Sequence, residues 1–283
     1  STKIWEDNFI KKANCLFTLS IQEASTIPEK YKNKNIILFP NSVHIPSTKQ
    51  LNNYSSPPWV KDIKDSKKVL LYLSRFDSIK GIYLLVDAWR NLTNSQKIKN
   101  WTLAIVGYGD SGKLKKYVDL LRNKNQLKDA FVYPPAFGEI KDICFRKADA
   151  FILPSLSEAS PMAALEALSY GKPSIISKAC GIYETARYIN KRSNKYSQIP
   201  YIECLPEILS IQNSLDKLFN MNQNSLRELS YKSIEFIYHW VEKLTNNTNG
   251  DPAHLEQDEN EKSPIANETI FALGASAIIC VFL

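Results

Sequence analysis

Four charged residues in this sequence are spaced as if to hold a phosphate-bearing ligand. Arg75 and Lys80 lie five positions apart in SRFDSIKG, and Glu158 and Glu166 lie eight apart in SEASPMAALEALSYGKP. Arginine presents a planar fork to phosphate oxygens and lysine a compact charge, each contact contributing roughly 1.5–3 kcal/mol as a charge-assisted hydrogen bond. Two such cations could offset negative charge in place of a metal ion. Ionised glutamates only accept hydrogen bonds, so they suit the hydroxyls of a ribose or a sugar. Taken alone, each pair reads at least as readily as solvated surface charge.

A further segment, GYGDSGKL at 107–114, follows the apolar run WTLAIV and comes within one residue of a phosphate-cradling P-loop. A P-loop needs Ser or Thr after its Lys to reach magnesium, and Leu114 stands there instead. The segment reads better as a Gly-rich turn that lets a nucleotide approach the backbone between Gly107 and Gly109, with Lys113 solvated at the start of the next helix.

These residues need a scaffold, and the hydrophobic pattern supplies one. Short Val-, Ile- and Leu-rich runs at 69–73, 103–106, 131–132, 150–153 and 174–176 alternate with segments whose apolar residues recur every three or four positions. Those are Ile82, Leu85, Trp89 and Leu92, then Leu114, Tyr117, Val118 and Leu121, then Ile140, Ile143 and Ala148. Strand and helix in alternation predict an α/β fold, a Rossmann-like doubly wound parallel sheet. Ligands of such sheets sit beyond the carboxyl ends of the strands, where all the candidate loops would gather. In the last of these loops Ser160 is expected to cap a helix running from Pro161 to Tyr170 and stopping at Gly171. Free amides from Ala159 to Ala163 would then form an anion site at the helix start.

Composition bounds the rest. The 283 residues are 44% apolar and 23% charged, with 36 Lys and Arg against 29 Asp and Glu. This is a globular mix with a modest basic excess, which suits a phosphate-bearing ligand or an anionic membrane surface and does not single out nucleic acid. The five cysteines, Cys15, Cys144, Cys180, Cys204 and Cys280, form no C-x-x-C pair, so neither zinc nor a disulfide framework is indicated. The three histidines, His44, His239 and His254, have no catalytic context. The chain opens in mid-pattern without Met, which suggests a fragment.

In combination the motifs resemble the retaining glycosyltransferases of family 4, of GT-B fold. LYLSRFDSIKGIYLLVDAWRNL is similar to that family's R-x4-K segment, and SEASPMAALEALSYGKPSI to its E-x7-E segment. WTLAIVGYGD, FVYPPAFGEIKDICFRKADAFILPS and GIYE follow in the family's order. ANCLFTLSIQEAS and IILFPNSVHIP resemble the end of a first domain and its hinge, and FIYHWVEKL a late Trp-bearing helix. Ala159 replaces a usual Gly, as do Ser74 and Ser42.

The resemblance implies an enzyme that takes a nucleotide-sugar donor and passes the hexose, with retention and without a metal ion or other cofactor, to a glycan, lipid-linked or protein acceptor. Arg75, Lys80 and Glu158 would be catalytic. Donor binding would fall to Ser74, Gly107, Gly109, Val132, Tyr133, Ser160, Pro161, Met162, Ala163 and Glu166, with Gly107, Val132 and Tyr133 near the base. The expected organisation is a remnant of an acceptor domain and hinge (1–45), a linker (46–66), the nucleotide-sugar-binding domain (67–244), and a polar acidic linker with a short apolar tail (245–283). The tail, IFALGASAIICVFL, is too short to span a bilayer. A cytoplasmic protein acting at the inner face of a membrane in polysaccharide or glycoconjugate synthesis fits this reading. Most of an acceptor domain has no counterpart here, so the chain alone is expected to bind a donor but transfer poorly. The alternatives are a non-catalytic partner subunit of the same fold and, more distantly, a P-loop NTPase.

Overall fold

The computed structural model describes residues 9–46, 56–110, 112–189, 198–246 and 253–254. Its centre is a six-stranded sheet made of β3 (Lys68–Arg75), β4 (Trp101–Tyr108), β5 (Ala130–Tyr133), β6 (Ala150–Leu153), β7 (Ser174–Ser177) and β8 (Ile202–Cys204). The strands run in the order β5-β4-β3-β6-β7-β8, every neighbouring pair parallel. The expected doubly wound parallel sheet is therefore present. Strand order reverses between β3 and β6, and the pair shares only the short register Leu70↔Ala150 and Leu71↔Phe151. Such a reversal is where a parallel sheet offers a crevice to a ligand.

Near-continuous apolar strands explain why the sheet is covered on both faces. Leu70, Leu71, Leu103, Ile105, Phe151 and Ile152 are fully buried, each contributing about 1.5–3 kcal/mol. The helices α2 (Ile82–Leu92), α3 (Lys113–Asn123), α4 (Gly138–Lys147), α5 (Met162–Ser169), α6 (Ile182–Ile189), α7 (Ile208–Phe219) and α8 (Gln223–Asn246) form the outer layers. They pack with α2 against α7 and α5 against α8. Ile82, Leu85 and Trp89 of α2 and Leu114, Val118 and Leu121 of α3 face inward as their spacing predicts. In α4 the buried residues are Ile143, Cys144 and Phe145, whereas Ile140 is exposed, so the pattern there begins one turn later than expected.

A second, smaller sheet holds the start of the chain. β1 (Cys15–Thr18) pairs in parallel with β2 (Asn35–Leu38), and β9 (Ala253–His254) pairs antiparallel with β2. That short strand lies in the segment expected to be a polar linker, most of which falls outside the described residues. Between β1 and β2, α1 (Ile21–Ser25) is capped by Ser20 and meets α6, where the Ile21 amide donates to Thr185 Oγ1 at 3.2 Å. The stretch expected to link the two sheets also packs, since Trp59 and Ile63 are buried in the main core. Asn41 ties three parts together: its side-chain amide donates to the Ser160 carbonyl at 3.3 Å, and its own carbonyl accepts from Trp240 Nε1 of α8 at 3.0 Å.

Where β3 leads into α2, the chain makes a 3-10 turn over Ser78–Lys80, capped by Asp77, and passes through Gly81 in the left-handed region at φ 68°. A Cβ on Gly81 would overlap the Pro154 carbonyl oxygen just beyond β6. Gly138 shares the left-handed conformation at φ 52° but faces open space. Gly81→Ala should therefore destabilise the protein by at least about 2 kcal/mol and Gly138→Ala by about 1 kcal/mol, the strain alone. Urea unfolding of the two variants checks this, and equal losses would contradict the close approach.

Candidate active site

The carboxyl ends of β3 and β6 carry the first half of the site. β3 ends in Ser74 and Arg75, and its end is held by Tyr72, whose buried hydroxyl donates to the Arg75 carbonyl at 3.1 Å. Burial pushes the Tyr72 phenol well above its ordinary range. The turn that follows brings Lys80 across to the β6 side. There its ammonium forms an ion pair with Glu158 Oε1, and both side chains are 13% exposed. Ser155, fully buried after β6, donates to the same oxygen at 3.4 Å, and the Leu156 amide donates to the Ile79 carbonyl at 2.8 Å. Cys180 lies beside this pair, its thiol pushed well above the usual value by burial and then by the Glu158 charge, which disfavours a nucleophilic thiolate.

Glu166 occupies the second half. It projects from α5, and its Oε1 accepts from Lys141 Nζ of α4 at 2.5 Å while its Oε2 is buried without a partner. Lys141 is the residue that sequence reasoning missed, because a contact between two helices 25 positions apart leaves no local spacing to read. The start of α5 also differs from expectation. Pro161 occupies the cap position with φ −75° and ψ 96°, so the helix runs from Met162 to Ser169 and no side chain caps it. The Ser160 hydroxyl is buried without a partner instead of bonding the first turn. The amides at the start of α5 therefore have no side-chain acceptor, which leaves the anion site expected there available.

Arg75 and Lys80 do not share one location. The Arg75 side chain is exposed and lines a pocket of about 350 Å³ with Phe76, Ser78, Tyr83, Gly109 and Lys113, on the β4 side of the crevice. In that pocket Asp110 closes the start of α3. Its Oδ1 accepts from the Gly112 amide at 3.1 Å, and its Oδ2 from the Leu114 amide at 2.6 Å and the Tyr83 hydroxyl at 3.1 Å. A carboxylate thus occupies two of the amides that a P-loop would turn towards phosphate, which weighs against the P-loop alternative. Gly107 is buried, and a Cβ there would overlap the Ser74 carbonyl oxygen, so its backbone serves the close approach of β3 and β4. Gly109 is exposed on the pocket wall.

Of the residues expected near a base, Val132 is half-buried and Tyr133 is buried. The Tyr133 ring packs on Trp59 at 6.4 Å and turns away from open solvent. Met162 is 40% exposed, Ala163 half-buried and Pro161 buried. Among the described residues, no group of three or more His, Cys, Asp or Glu side chains is arranged to hold a metal ion. No helix among them is long and apolar enough to cross a membrane.

Comparison with known proteins bears on the fold that carries these residues. Residues 57–193, about half of the chain and all four candidate charges within it, match the family described as Glycosyl transferases group 1. These residues are similar to a glycosyltransferase group 1 domain. An uncharacterized glycosyltransferase of Haemophilus influenzae is 27% identical over 158 residues, which are 56% of this chain and 40% of that protein. The chain thus spans about two fifths of that relative's length. Among solved structures, sucrose-phosphate synthase from Thermosynechococcus elongatus superposes with a TM-score of 0.65 at 18% identity, over 87% of this chain and 59% of its own. A TarM mutant from S. aureus in complex with Fondaparinux, alpha-GlcNAc-glycerol and UDP superposes with a TM-score of 0.59 at 18% identity, over 84% and 46%. These likenesses show the GT-B Rossmann-like fold.

The helix-start assignment at α3 is testable. Asp110→Ala removes the acceptor for two amides and a hydroxyl and should cost about 1–2 kcal/mol, whereas Lys113→Ala should stay within about 0.5 kcal/mol. Chemical denaturation measures both, and a larger loss at Lys113 would contradict the assignment.

Proposed function

We propose that this chain is the donor-binding part of a retaining glycosyltransferase that takes a hexose from a nucleotide sugar for polysaccharide or glycoconjugate synthesis. The observation that carries the reading is the Lys80–Glu158 ion pair between the loops after β3 and β6, followed four residues on from Glu158 by the uncapped start of α5. This is the place in a parallel sheet where a nucleotide is held. That UDP is bound in the TarM complex of the same fold supports the ligand class.

In this reading the diphosphate lies between the crevice cations and the amides that begin α5. Lys80 on the β6 side and Arg75 from the β4 side of the crevice approach the diphosphate from opposite directions and lower the energy of the charge that grows on it as the sugar departs. Lys80 can do so while paired, because one of its three N–H bonds meets Glu158 and two remain. Glu158, fixed by Lys80 and Ser155, faces the sugar hydroxyls at the mouth. Glu166, a turn inside α5, accepts from the ribose. With two protein cations at the leaving group, a metal ion is not needed in this reading. The acceptor, a glycan or a lipid-linked group, approaches from the open side of the crevice.

Calorimetric titration with UDP, GDP and ADP, with and without magnesium, tests the proposal. One of them should bind independently of the metal. Arg75→Ala should weaken it about 10–100-fold, and Glu166→Ala should reduce it similarly. Failure of all three to bind the folded chain would overturn the reading.

A further inference from the structure

The nucleotide-sugar reading, on which the following rests, gives the phosphates the amides that begin α5 and leaves open what aims those amides. The lead-in to the helix is Ser160 and Pro161. A residue before proline is held extended, and the proline ring locks its own φ, here −75°. The peptide between the two has no N–H, so the Ser160 carbonyl is its single polar group, and whatever holds that oxygen holds the whole plane. On the other side, the Pro161 carbonyl accepts from the Ala164 and Leu165 amides at 3.0 and 3.1 Å. The Met162 N–H follows these two carbonyls, and its direction is set once both are fixed.

Ser160 does not hold the plane itself, because its hydroxyl is buried without a partner. The Asn41 side-chain amide, 119 positions away in the chain, donates to its carbonyl at 3.3 Å. Asn41 is half-buried just past β2, and its own backbone has little freedom. Its carbonyl accepts from Nε1 of the buried Trp240 at 3.0 Å, and Val43, two residues on, is packed in the main core. The body of α5 is fixed separately, since Ala164, Leu165, Ala167 and Leu168 are fully buried. Asn41 therefore acts on the lead-in to the helix and not on its packing.

We propose that Asn41 is a positioning residue for the donor's phosphates: it touches no ligand, and through the Ser160 carbonyl it aims the first amides of α5 at the diphosphate. Without it the plane between Ser160 and Pro161 can rotate, and the Met162 and Ala163 amides lose their common direction. The part of the affinity that the phosphates supply then falls, whereas contacts to the rest of the nucleotide are untouched. A segment leaving the smaller sheet thus sets the grip of the larger one on its ligand. Coupling of this kind is reciprocal, so phosphates held at those amides in turn steady the Asn41 side chain.

The experiment titrates UDP, GDP and ADP, by calorimetry, and the corresponding free nucleosides, by amide chemical shifts, into the unmodified chain, N41L and N41Q, with thermal melting recorded for each. In N41L, where a side chain of similar size cannot donate, the diphosphate that binds should weaken about threefold to tenfold while its nucleoside binds as before. N41Q keeps an amide donor and should retain most of the diphosphate affinity. If N41L melts too early to titrate, the unmodified chain carries the test: the bound diphosphate should shift the signals of the Asn41 side-chain amide and the Trp240 indole N–H. Diphosphate affinity unchanged in N41L, diphosphate and nucleoside weakening equally as the melting temperature drops, or both signals unmoved at saturation would make Asn41 a structural tie and overturn the inference while leaving the nucleotide reading intact. Absence of binding by any of the nucleotides to the unmodified chain would overturn both.

Discussion

The site depends on how closely two backbones approach at the reversal of the sheet. Gly81 leaves no room for a side chain against the Pro154 carbonyl, and the Leu156 amide bonds the Ile79 carbonyl across the same gap. With those two segments locked together, the turn after β3 delivers Lys80 to the loop after β6. The ion pair with Glu158 follows from that contact. A bulkier residue at 81 would push the segments apart and leave two largely buried charges without each other, an arrangement costlier than losing either one's packing.

The same logic sets the charge balance of the crevice. Both candidate acids are held by a lysine from a neighbouring element, Glu158 by Lys80 and Glu166 by Lys141. The crevice can thus be closely packed and still contain four ionised groups. Donor capacity remains at the amides that begin α5, which no side chain caps. At the start of α3 the balance is reversed, because Asp110 already occupies the amides that an anion would need. The start of α5, unlike that of α3, is free of a side-chain acceptor.

Much of this was legible in the residues themselves. The strands β3 to β7 and the inward faces of α2 and α3 follow from apolar runs and helical spacing, since a parallel sheet covered on both faces leaves a strong local pattern. The four charges were legible as two spaced pairs, and the gathering of their loops as a property of the sheet. What was not legible depends on contacts across the chain. Lys141 acquires its partner only when α4 and α5 lie side by side, and Trp59 its burial only when the segment before β3 folds back onto Tyr133. Arg75 and Lys80, one motif in sequence, face different parts of the crevice because the tight turn at Ser78–Lys80 intervenes. Ser160 has the right chemistry for a cap, but Pro161 takes the capping geometry one residue later.

The central claim is that a nucleoside diphosphate enters at the β3–β6 reversal and meets the start of α5. Amide chemical-shift mapping of the isotopically labelled chain during titration with UDP, GDP and ADP tests it most directly. The account predicts that one nucleotide shifts the amides of residues 74–81 and 155–166 most strongly and leaves those of Gly112 and Leu114, bound to Asp110, nearly unmoved. Strong shifts at the start of α3 with residues 155–166 undisturbed would contradict it.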